Sequence, residues 1–308
     1  MVRGGPPVTT SALDTQAPIL PIAMIRALRP RQWAKNAVLL VPLLFAKGVL
    51  EKGLVFHALA AVAAFSLLAS GVYVVNDWVD REKDRLHPEK RKRPIAAGHL
   101  SGTMALLLLV LCWGGAAGIG WYVGQGFLGV MGGYLVLQVL YTGALKKLVI
   151  LDVMAIALGF IVRVVAGAVA INVEVSNWLF LCTLLGAVFL GFAKRRAELS
   201  SLEDMATAHR SNLADYSLPM IDQMMSISAA SAILGYGLYT VSRETVERVG
   251  SDRLKFTVPL VVYAVFRYLF LVHKRGAGGA PEKVVLGDVA LLATIALYLA
   301  VAAWALYV

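Results

Sequence analysis

The sequence predicts an all-α polytopic membrane protein, and three observations support this. Of its 308 residues, 59% are hydrophobic and only 16% are charged. The apolar residues form repeated runs close to the length that crosses a bilayer, and most of the charged residues lie between these runs. A soluble domain needs more polar residues to cover its apolar core than this composition supplies. We therefore expect about nine transmembrane helices around a central cavity.

Nine apolar runs give this helix count. In chain order they are residues 33–50, 54–75, 103–123, 126–143, 149–170, 177–193, 220–241, 256–273 and 285–307. Each run is near spanning length and contains few charged residues, as a transmembrane helix requires. Residues 1–21 are rich in Pro, Thr, Ser and Gly, which predicts a flexible N-terminal tail. Residues 22–308 are then expected to form a single transmembrane domain.

The Lys and Arg residues predict the orientation of this domain. Most of the 29 lie in the N-terminal segment and in the loops after the second, fourth, sixth and eighth runs. Positively charged loops stay on the cytoplasmic side of a membrane. We therefore expect a multi-pass protein of the inner (plasma) membrane whose N-terminus and charged loops are cytoplasmic. Contact with anionic lipid head groups accounts for the net charge of +10, so no nucleic acid partner is expected.

Acidic residues are concentrated directly after the second run, in the stretch YVVNDWVDREKD (73–84). If the helix continues through this stretch, four oxygen-bearing side chains share one face: Asn76, Asp77, Asp80 and Asp84. Oxygen ligands without His or Cys suit a hard cation, and Mg²⁺ is commonly held by one or two carboxylates together with substrate phosphates. The pattern favours a Mg²⁺ site that binds a diphosphate. The alternative is a solvated helix end whose acids form salt bridges with neighbouring basic residues.

Several motifs carry a resemblance to a known family. NDWVDREKD (76–84) resembles the NDxxDxxxD motif of the UbiA superfamily of intramembrane prenyltransferases, and RPIAAG (93–98) is similar to the continuation of that motif. Three further stretches resemble the decaprenyl-phosphate phosphoribosyltransferase branch of the superfamily: LRPRQWAKN (28–36), HPEKRKRPIAAG (87–98) and GFAKRRAEL (191–199). The resemblance covers almost the whole chain from about residue 22.

This resemblance implies a UbiA-like fold in which cytoplasmic loops cap the active site of residues 22–308. It implies transfer of 5-phosphoribosyl from 5-phosphoribosyl 1-diphosphate to a polyprenyl (decaprenyl-type) phosphate, with release of diphosphate. The family's pathway is the synthesis of cell-wall arabinan precursors, as in arabinogalactan. Mg²⁺ is the implied cofactor, with Asp77, Asp80 and Asp84 as catalytic residues. A homo-oligomer, taken as a trimer, is the expected assembly.

One departure from the wider superfamily concerns the loop after the sixth run. Members that attach a prenyl chain to an aromatic ring carry a second aspartate-rich motif there, whereas this chain has KRRAELSSLED (194–204). A site for a phosphorylated sugar and a lipid phosphate must neutralise more negative charge, which basic residues can do. We therefore expect Lys194, Arg195 and Glu198 to line a substrate site. The alternative is a membrane anchor that binds no ligand.

Further substrate-binding candidates lie within or beside the apolar runs, where charge is costly and usually faces a cavity. They are Lys35, Asn36, Tyr141, Lys146, Arg163 and Tyr216. The resemblance adds Lys90, Arg91 and Arg93, which lie in the loop motif HPEKRKRPIAAG. Some have structural alternatives: Tyr141 and Lys146 match interfacial anchors, and Arg163 could belong to a structural ion pair. Tyr216 is expected to donate a hydrogen bond to a sugar or a phosphate.

Two other function classes compete with this interpretation. A prenyltransferase of the same superfamily would move a prenyl group from a prenyl diphosphate to an aromatic or other acceptor, but the second aspartate-rich motif is missing. A transporter would have interrupted helices and polar residues near the bilayer midplane. In this chain the polar residues are instead concentrated in the predicted cytoplasmic loops.

Overall fold

The computed structural model describes residues 20–87, 90–203, 215–275 and 278–307, in which every regular element is a helix. The α-helices are α1 (Leu20–Leu28), α2 (Val41–Phe45), α3 (Lys52–Val79), α4 (Arg81–Leu86), α5 (Gly102–Val123), α6 (Gln125–Gly143), α7 (Leu151–Ala170), α8 (Asn177–Glu203), α9 (Leu218–Val241), α10 (Arg243–Val249), α11 (Val258–Arg275), α12 (Pro281–Leu286) and α13 (Val289–Tyr307). Short 3₁₀ helices join several of them. The predicted all-α fold is confirmed.

Eight helices in the described ranges are long and apolar enough to cross a membrane. They are α3, α5, α6, α7, α8, α9, α11 and α13, some of them extended by an adjoining 3₁₀ turn. These eight correspond to the second through ninth predicted runs. The first predicted run, residues 33–50, does not form such a helix.

Proline residues explain why the first run is broken. It folds as a 3₁₀ helix, Pro30–Leu40, followed by the five-residue α2 with Pro42 in its first turn. Proline lacks the N–H of a regular α-helix and clashes with the preceding turn. The broken segment packs tightly against α7, since a Cβ added at Gly167 would lie 2.1 Å from the Leu39 carbonyl oxygen. It is therefore a buried element beside the central helices.

The spans are arranged so that α3 and α7 are central and α5 and α6 are peripheral. More of α3 and α7 is buried than of any other span. One apolar core forms around Phe65 and Phe127, between α3, α5, α6 and α7. A second forms around Phe189 and Met225, between α8, α9 and α11. The outer helices expose large apolar side chains such as Val139, as expected for surfaces that contact lipid.

Two predicted boundaries differ from the structure. α8 continues to Glu203, ten residues past the end of the sixth apolar run, so Lys194, Arg195 and Glu198 lie on a helix and not in a loop. The helix can continue because its last turns are rich in good helix formers. α1 begins at Leu20, inside the predicted tail 1–21. The rest of that tail lies outside the described residues.

Candidate active site

The predicted acidic face lies where α3 meets α4. α3 ends at Val79, and the backbone of Asp80 (φ −89°, ψ 4°) leads into α4. The backbone N–H groups of Asp80 and Asp84 still donate to the carbonyls of Asn76 and Asp80, at 2.9 and 2.8 Å. The helical path therefore continues across the junction. Asp77 and Asp84 are buried, whereas Asp80 and Asn76 are half-buried.

Two arginines hold Asp77 and Asp84 together. Arg93 Nη1 donates to Asp77 Oδ1 at 3.1 Å and to Asp84 Oδ2 at 2.6 Å. Arg29 Nη2 donates to the same Asp77 oxygen, and its guanidinium lies 5.0 Å from the centre of the Tyr73 ring. We call Arg29, Asp77, Asp84 and Arg93 the Asp77 cluster. Its carboxylates are almost fully buried, but its arginine side chains remain 27% and 29% exposed.

The donor chemistry of the Asp77 cluster fits Mg²⁺. The Asp77 and Asp84 carboxylates are close enough to share one guanidinium nitrogen. Buried carboxylates need a positive counter-charge, which a divalent cation can supply as well as an arginine. Two carboxylates are enough for Mg²⁺ when substrate phosphates complete its ligands. Within the described ranges, no three Asp, Glu, His or Cys side chains lie close enough together to hold a metal. The structure thus pairs Asp77 with Asp84, and the metal contacts of Asn76 and Asp80 stay predictions.

A second polar group surrounds Lys35, in the 3₁₀ helix Pro30–Leu40. Lys35 Nζ donates to Gln32 Oε1 at 2.5 Å and lies 3.9 Å from Glu282 Oε2. Gln32 Nε2 donates to Glu282 Oε1 at 2.7 Å. Glu282 is buried in α12. These contacts bring the N-terminal part of the chain against the segment that follows α11.

Lys35 lies in a region of converging positive charge. It is outside the eight spans, and burial lowers its pKa to about 8, although the Glu282 carboxylate raises it. Three other cationic side chains are near enough to lower this pKa further: Lys194, Arg163 and Arg29. Cations that lie close together repel one another, and an anion bound between them would relieve this repulsion. We call Arg29, Lys35, Arg163 and Lys194 the cationic region, and its charge suits a polyanionic ligand.

Arg163 is buried and bonded only to neutral groups among the described residues. Its Nε donates to Asn36 Oδ1 at 2.8 Å, its Nη1 to the Gly159 carbonyl at 2.7 Å, and its Nη2 to Tyr134 OH at 2.9 Å. These bonds use three of the five guanidinium N–H groups. The Asn36 amide also donates to Ser66 Oγ at 3.0 Å. Asn36 therefore orients Arg163, which keeps two N–H groups and a full charge for an anion.

A separate ion-pair group links α7 to α8. Arg195 is fully buried, its Nε lies 3.0 Å from Asp152 Oδ2, and its Nη1 donates to Glu198. Tyr216 OH donates to Asp152 Oδ1 at 3.0 Å and accepts from the Ile150 N–H at 2.6 Å. We call Asp152, Arg195, Glu198 and Tyr216 the Asp152 cluster. Burial raises the pKa of Tyr216 to about 12, so its hydroxyl keeps its proton at neutral pH.

The Asp152 cluster changes the expectation for two predicted residues. The single proton of the Tyr216 hydroxyl is already directed at Asp152, which leaves none for the predicted hydrogen bond to a substrate. Arg195 is bound on both sides by carboxylates and has no exposed surface. A phosphate contact by Arg195 would require these ion pairs to open. Tyr141, whose OH lies 3.5 Å from Arg195 Nη2, borders the same cluster.

A family model, the UbiA prenyltransferase family, matches residues 37–275. The chain belongs to the UbiA prenyltransferase family. Decaprenyl-phosphate phosphoribosyltransferase of Mycobacterium tuberculosis strain H37Rv is 34% identical over 285 residues, which cover 89% of this chain and 91% of that protein. The protein of the same name from Mycolicibacterium smegmatis is 32% identical over 278 residues, covering 86% of each chain.

Solved structures of the family show the same fold. A UbiA homolog from Archaeoglobus fulgidus, in a structure bound to GPP and Mg²⁺, superposes with a TM-score of 0.70. The match covers 93% of this chain and all of that chain, at 18% sequence identity. The predicted UbiA-like fold is thereby confirmed, and the eight spans make this family member an integral membrane protein.

The remaining predicted residues lie outside the Asp77 and Asp152 clusters. Lys90 and Arg91 are exposed in the segment between α4 and α5, and Lys146 is half-buried in the 3₁₀ turn after α6. Lys194 belongs to the cationic region and lies 3.9 Å from Glu198. Substrate contacts by Lys90, Arg91 and Lys146 stay predictions.

Sequence reasoning missed three residues that the structure places in the site. Arg29 and Gln32 lie inside the motif LRPRQWAKN, so their presence in a family-like motif was the signal that could have identified them. Arg29 also has a left-handed backbone (φ 54°), a costly conformation that is most frequent at functional sites. Glu282 is the lone acid between the eighth and ninth apolar runs, in the short helix α12. No local pattern marks it, because its importance comes from contacts with residues 250 positions away.

A cavity lined by the described residues lies elsewhere in the molecule. It has a volume of about 620 Å³ and is lined by aromatic side chains that include Trp178, Tyr236 and Tyr239. It lies between α2, α8, α9, α10 and α13, near the ends of the helices that are opposite to the Asp77 cluster. None of the predicted site residues lines it.

Proposed function

We propose that this chain transfers the 5-phosphoribosyl group of 5-phosphoribosyl 1-diphosphate to a polyprenyl phosphate and releases diphosphate. The observation that carries the proposal is the cationic region, where Lys35 lies near Lys194, Arg163 and Arg29 beside two paired carboxylates. Relatives that cover most of the chain and bear the name decaprenyl-phosphate phosphoribosyltransferase support the same activity. A polyprenyl phosphate of decaprenyl type is the proposed acceptor, and a cell-wall arabinan precursor is the proposed product.

The Asp77 cluster would bind the metal and the leaving group. Asp77 and Asp84 would hold Mg²⁺, with Asn76 and Asp80 as additional ligands. When bound, Mg²⁺ stabilises the negative charge that develops on the leaving diphosphate. Arg29 and Arg93, which now neutralise the carboxylates, would turn to the substrate phosphates.

The cationic region would bring the two substrates together. Both are anions that repel each other, so positioned cations are needed to bring the acceptor oxygen close to the ribose C1. Arg163 is suited to this task because its charge is buried and its orientation is set by Asn36. The acceptor phosphate is already an anion at neutral pH, so the reaction needs no general base.

The environment and assembly of the protein are also proposals. We propose that it lies in the inner (plasma) membrane with the Asp77 cluster facing the cytoplasm. The water-soluble donor, phosphoribosyl diphosphate, would enter the site from that side. This orientation rests on the distribution of Lys and Arg residues. A homotrimer stays the proposed assembly, and the mass of the protein in detergent would test it.

The decisive experiment is an assay of the purified full chain in detergent. Labelled phosphoribosyl diphosphate is incubated with a panel of lipid phosphates, and prenyl diphosphates with aromatic acids form the competing set. We expect a charged glycolipid and free diphosphate, and loss of both in Asp77→Asn. Glu247→Gln, an exposed acid paired with Arg243 on α10, serves as the matched control. Formation of a prenylated aromatic product instead would favour the other superfamily reaction.

A further inference from the structure

Glu282 has one carboxylate oxygen, Oε2, that accepts no hydrogen bond within the described part of the chain. Its side chain is buried, with only 6% of its surface exposed. Gln32 donates to Oε1 at 2.7 Å, which fixes the plane of the carboxylate. Oε2 is buried and accepts no hydrogen bond from any described residue. Lys35 Nζ, at 3.9 Å, is beyond hydrogen-bonding distance.

This oxygen lies beside the proposed active site. Lys35, its nearest cation, is also near Arg29, Arg163 and Lys194. Tyr73, whose ring lies against Arg29, is within electrostatic range of Glu282. The hydroxyl of Tyr268, also within range of Glu282, is a second buried polar group that has no partner in the described part of the chain. Glu282 therefore meets the cationic region from α12, whereas Asp77 meets it from α3.

The chemistry of the substrates indicates what would bind there. A buried carboxylate oxygen is costly unless it accepts a hydrogen bond, so the ligand must supply a donor. Phosphate and diphosphate groups are acceptors at neutral pH and would be repelled by Glu282. In the two proposed substrates, the only neutral hydrogen-bond donors are the secondary hydroxyls of the ribose.

We propose that Glu282 recognises the phosphoribosyl donor by accepting a hydrogen bond from a ribose hydroxyl at C2 or C3, and that Gln32 and Lys35 position its carboxylate. This inference rests on the proposed function. A prenyl diphosphate has no hydroxyl near its reacting carbon, so Glu282 would help to select a sugar donor over an isoprenoid donor. A site built to bond a hydroxyl discriminates strongly against analogues that lack it.

The test combines Glu282 variants with donor analogues. Turnover of phosphoribosyl diphosphate and of its 2-deoxy and 3-deoxy analogues is measured for the wild type, Glu282→Ala and Glu282→Gln, with Glu247→Gln as the control. We expect Glu282→Ala to lower kcat/KM for the full donor about 10- to 100-fold, the range for a hydrogen bond to a charged group. In the wild type, removing the bound hydroxyl should cost a similar factor. The Glu282→Ala variant with the deoxy donor should have a kcat/KM little lower than that of either single change.

The proposal is overturned if the effect of removing a ribose hydroxyl does not depend on whether residue 282 is glutamate. If each deoxy analogue has its kcat/KM lowered by the same factor, relative to the full donor, in Glu282→Ala as in the wild type, then Glu282 contacts neither hydroxyl. It would then serve only as the counter-ion of Lys35. If Glu282→Ala does not fold, the same comparison is made with Glu282→Gln, which preserves shape. If a variant turns over too slowly, donor and analogue binding is compared by thermal shift. Failure of the proposed function would look different, because the wild type would then form no phosphoribosyl lipid.

Discussion

The Asp77 cluster and the Asp152 cluster both pair arginine with carboxylates but differ in the exposure of their arginines. In the Asp77 cluster, the side chains of Arg29 and Arg93 are 27% and 29% exposed. In the Asp152 cluster, the side chain of Arg195 has no exposed surface. A partly exposed arginine can move from a carboxylate to a ligand at small cost, whereas a fully buried one would leave its partner charge uncompensated.

This difference separates a reactive site from a structural one. In the proposed reaction the arginines of the Asp77 cluster pass to a diphosphate and a metal takes their place on the carboxylates, so this cluster should determine turnover. The Asp152 cluster joins the start of α7 to the end of α8 and to Tyr216, which precedes α9. It should determine stability and hold Lys194 in place. Residue type alone does not distinguish the two.

Removing the metal should have the largest effect. Excess EDTA should abolish formation of the lipid product, because no protein group replaces a divalent cation on the leaving diphosphate, and added Mg²⁺ should restore it. Product formation is measured with labelled donor. Full activity in EDTA would mean that the Asp77 cluster does not act by holding a metal.

Asp77→Asn and Asp84→Asn should each lower kcat about 100-fold or more, as expected when a metal ligand supporting several kcal/mol of transition-state stabilisation is lost. Their unfolding midpoints in detergent should stay close to that of the wild type, because the arginines can turn to solvent. Glu82→Gln, an exposed acid of α4, is the matched control and should retain activity. A large loss of stability with normal turnover of the folded protein would contradict the assignment.

The Asp152 cluster should respond in the opposite way. Asp152→Asn and Arg195→Gln should each destabilise the protein by about 3 to 5 kcal/mol, since each leaves a buried partner without its counter-charge. The measurement is thermal unfolding of the two single variants and the double variant, whose effects should not be additive. The comparison fails if Arg195→Gln keeps its stability and loses turnover, since Arg195 would then contact substrate as first predicted.

A pH profile tests Lys35 in the cationic region. With a pKa of about 8, its ammonium is charged below that pH and loses its proton above it. We therefore expect kcat/KM for the phosphoribosyl donor to fall above about pH 8, by up to about tenfold per pH unit. Lys35→Arg should flatten this fall, because a guanidinium stays protonated. An identical profile in the variant would assign the fall to another group.

Lys194→Gln should have the smallest effect. It removes one of several cations from the region and leaves the buried ion pairs of Arg195 intact. We expect the KM of one phosphorylated substrate to rise about tenfold, a cost of about 1.4 kcal/mol, with an unchanged Mg²⁺ requirement. A loss of stability like that of Arg195→Gln would place Lys194 in the Asp152 cluster instead.

Much of the fold could be predicted because its signals are local. Hydropathy located eight of the nine runs as spans, and the spacing of Asp77 and Asp84 placed both acids on one helical path. The first run was less predictable because its hydropathy resembles that of a helix, while Pro42 interrupts it and Leu39 packs against Gly167. The length of α8 was underestimated because charged residues were taken to end the helix.

The candidate site was predicted only in part, because its contacts join residues that are far apart in the sequence. Motif resemblance selected Asp77, Arg93 and Lys35 as candidate site residues, but it could not reveal which arginine lacks a carboxylate partner. In the sequence, Arg163 in the fifth run and Arg195 after the sixth run are both expected to bind substrate. The first meets only neutral partners, and the second meets two carboxylates.

The sequence by itself determined the membrane class, eight of the nine predicted spans, the family and the acidic motif, because each depends on composition or on spacing within a few helical turns. Only the tertiary structure decided the partners of those residues. Asn36 meets Arg163 across 127 positions, and Gln32 meets Glu282 across 250. Such contacts arise when helices distant in sequence pack together, and burial then decides whether a charge is neutralised or left to bind a ligand.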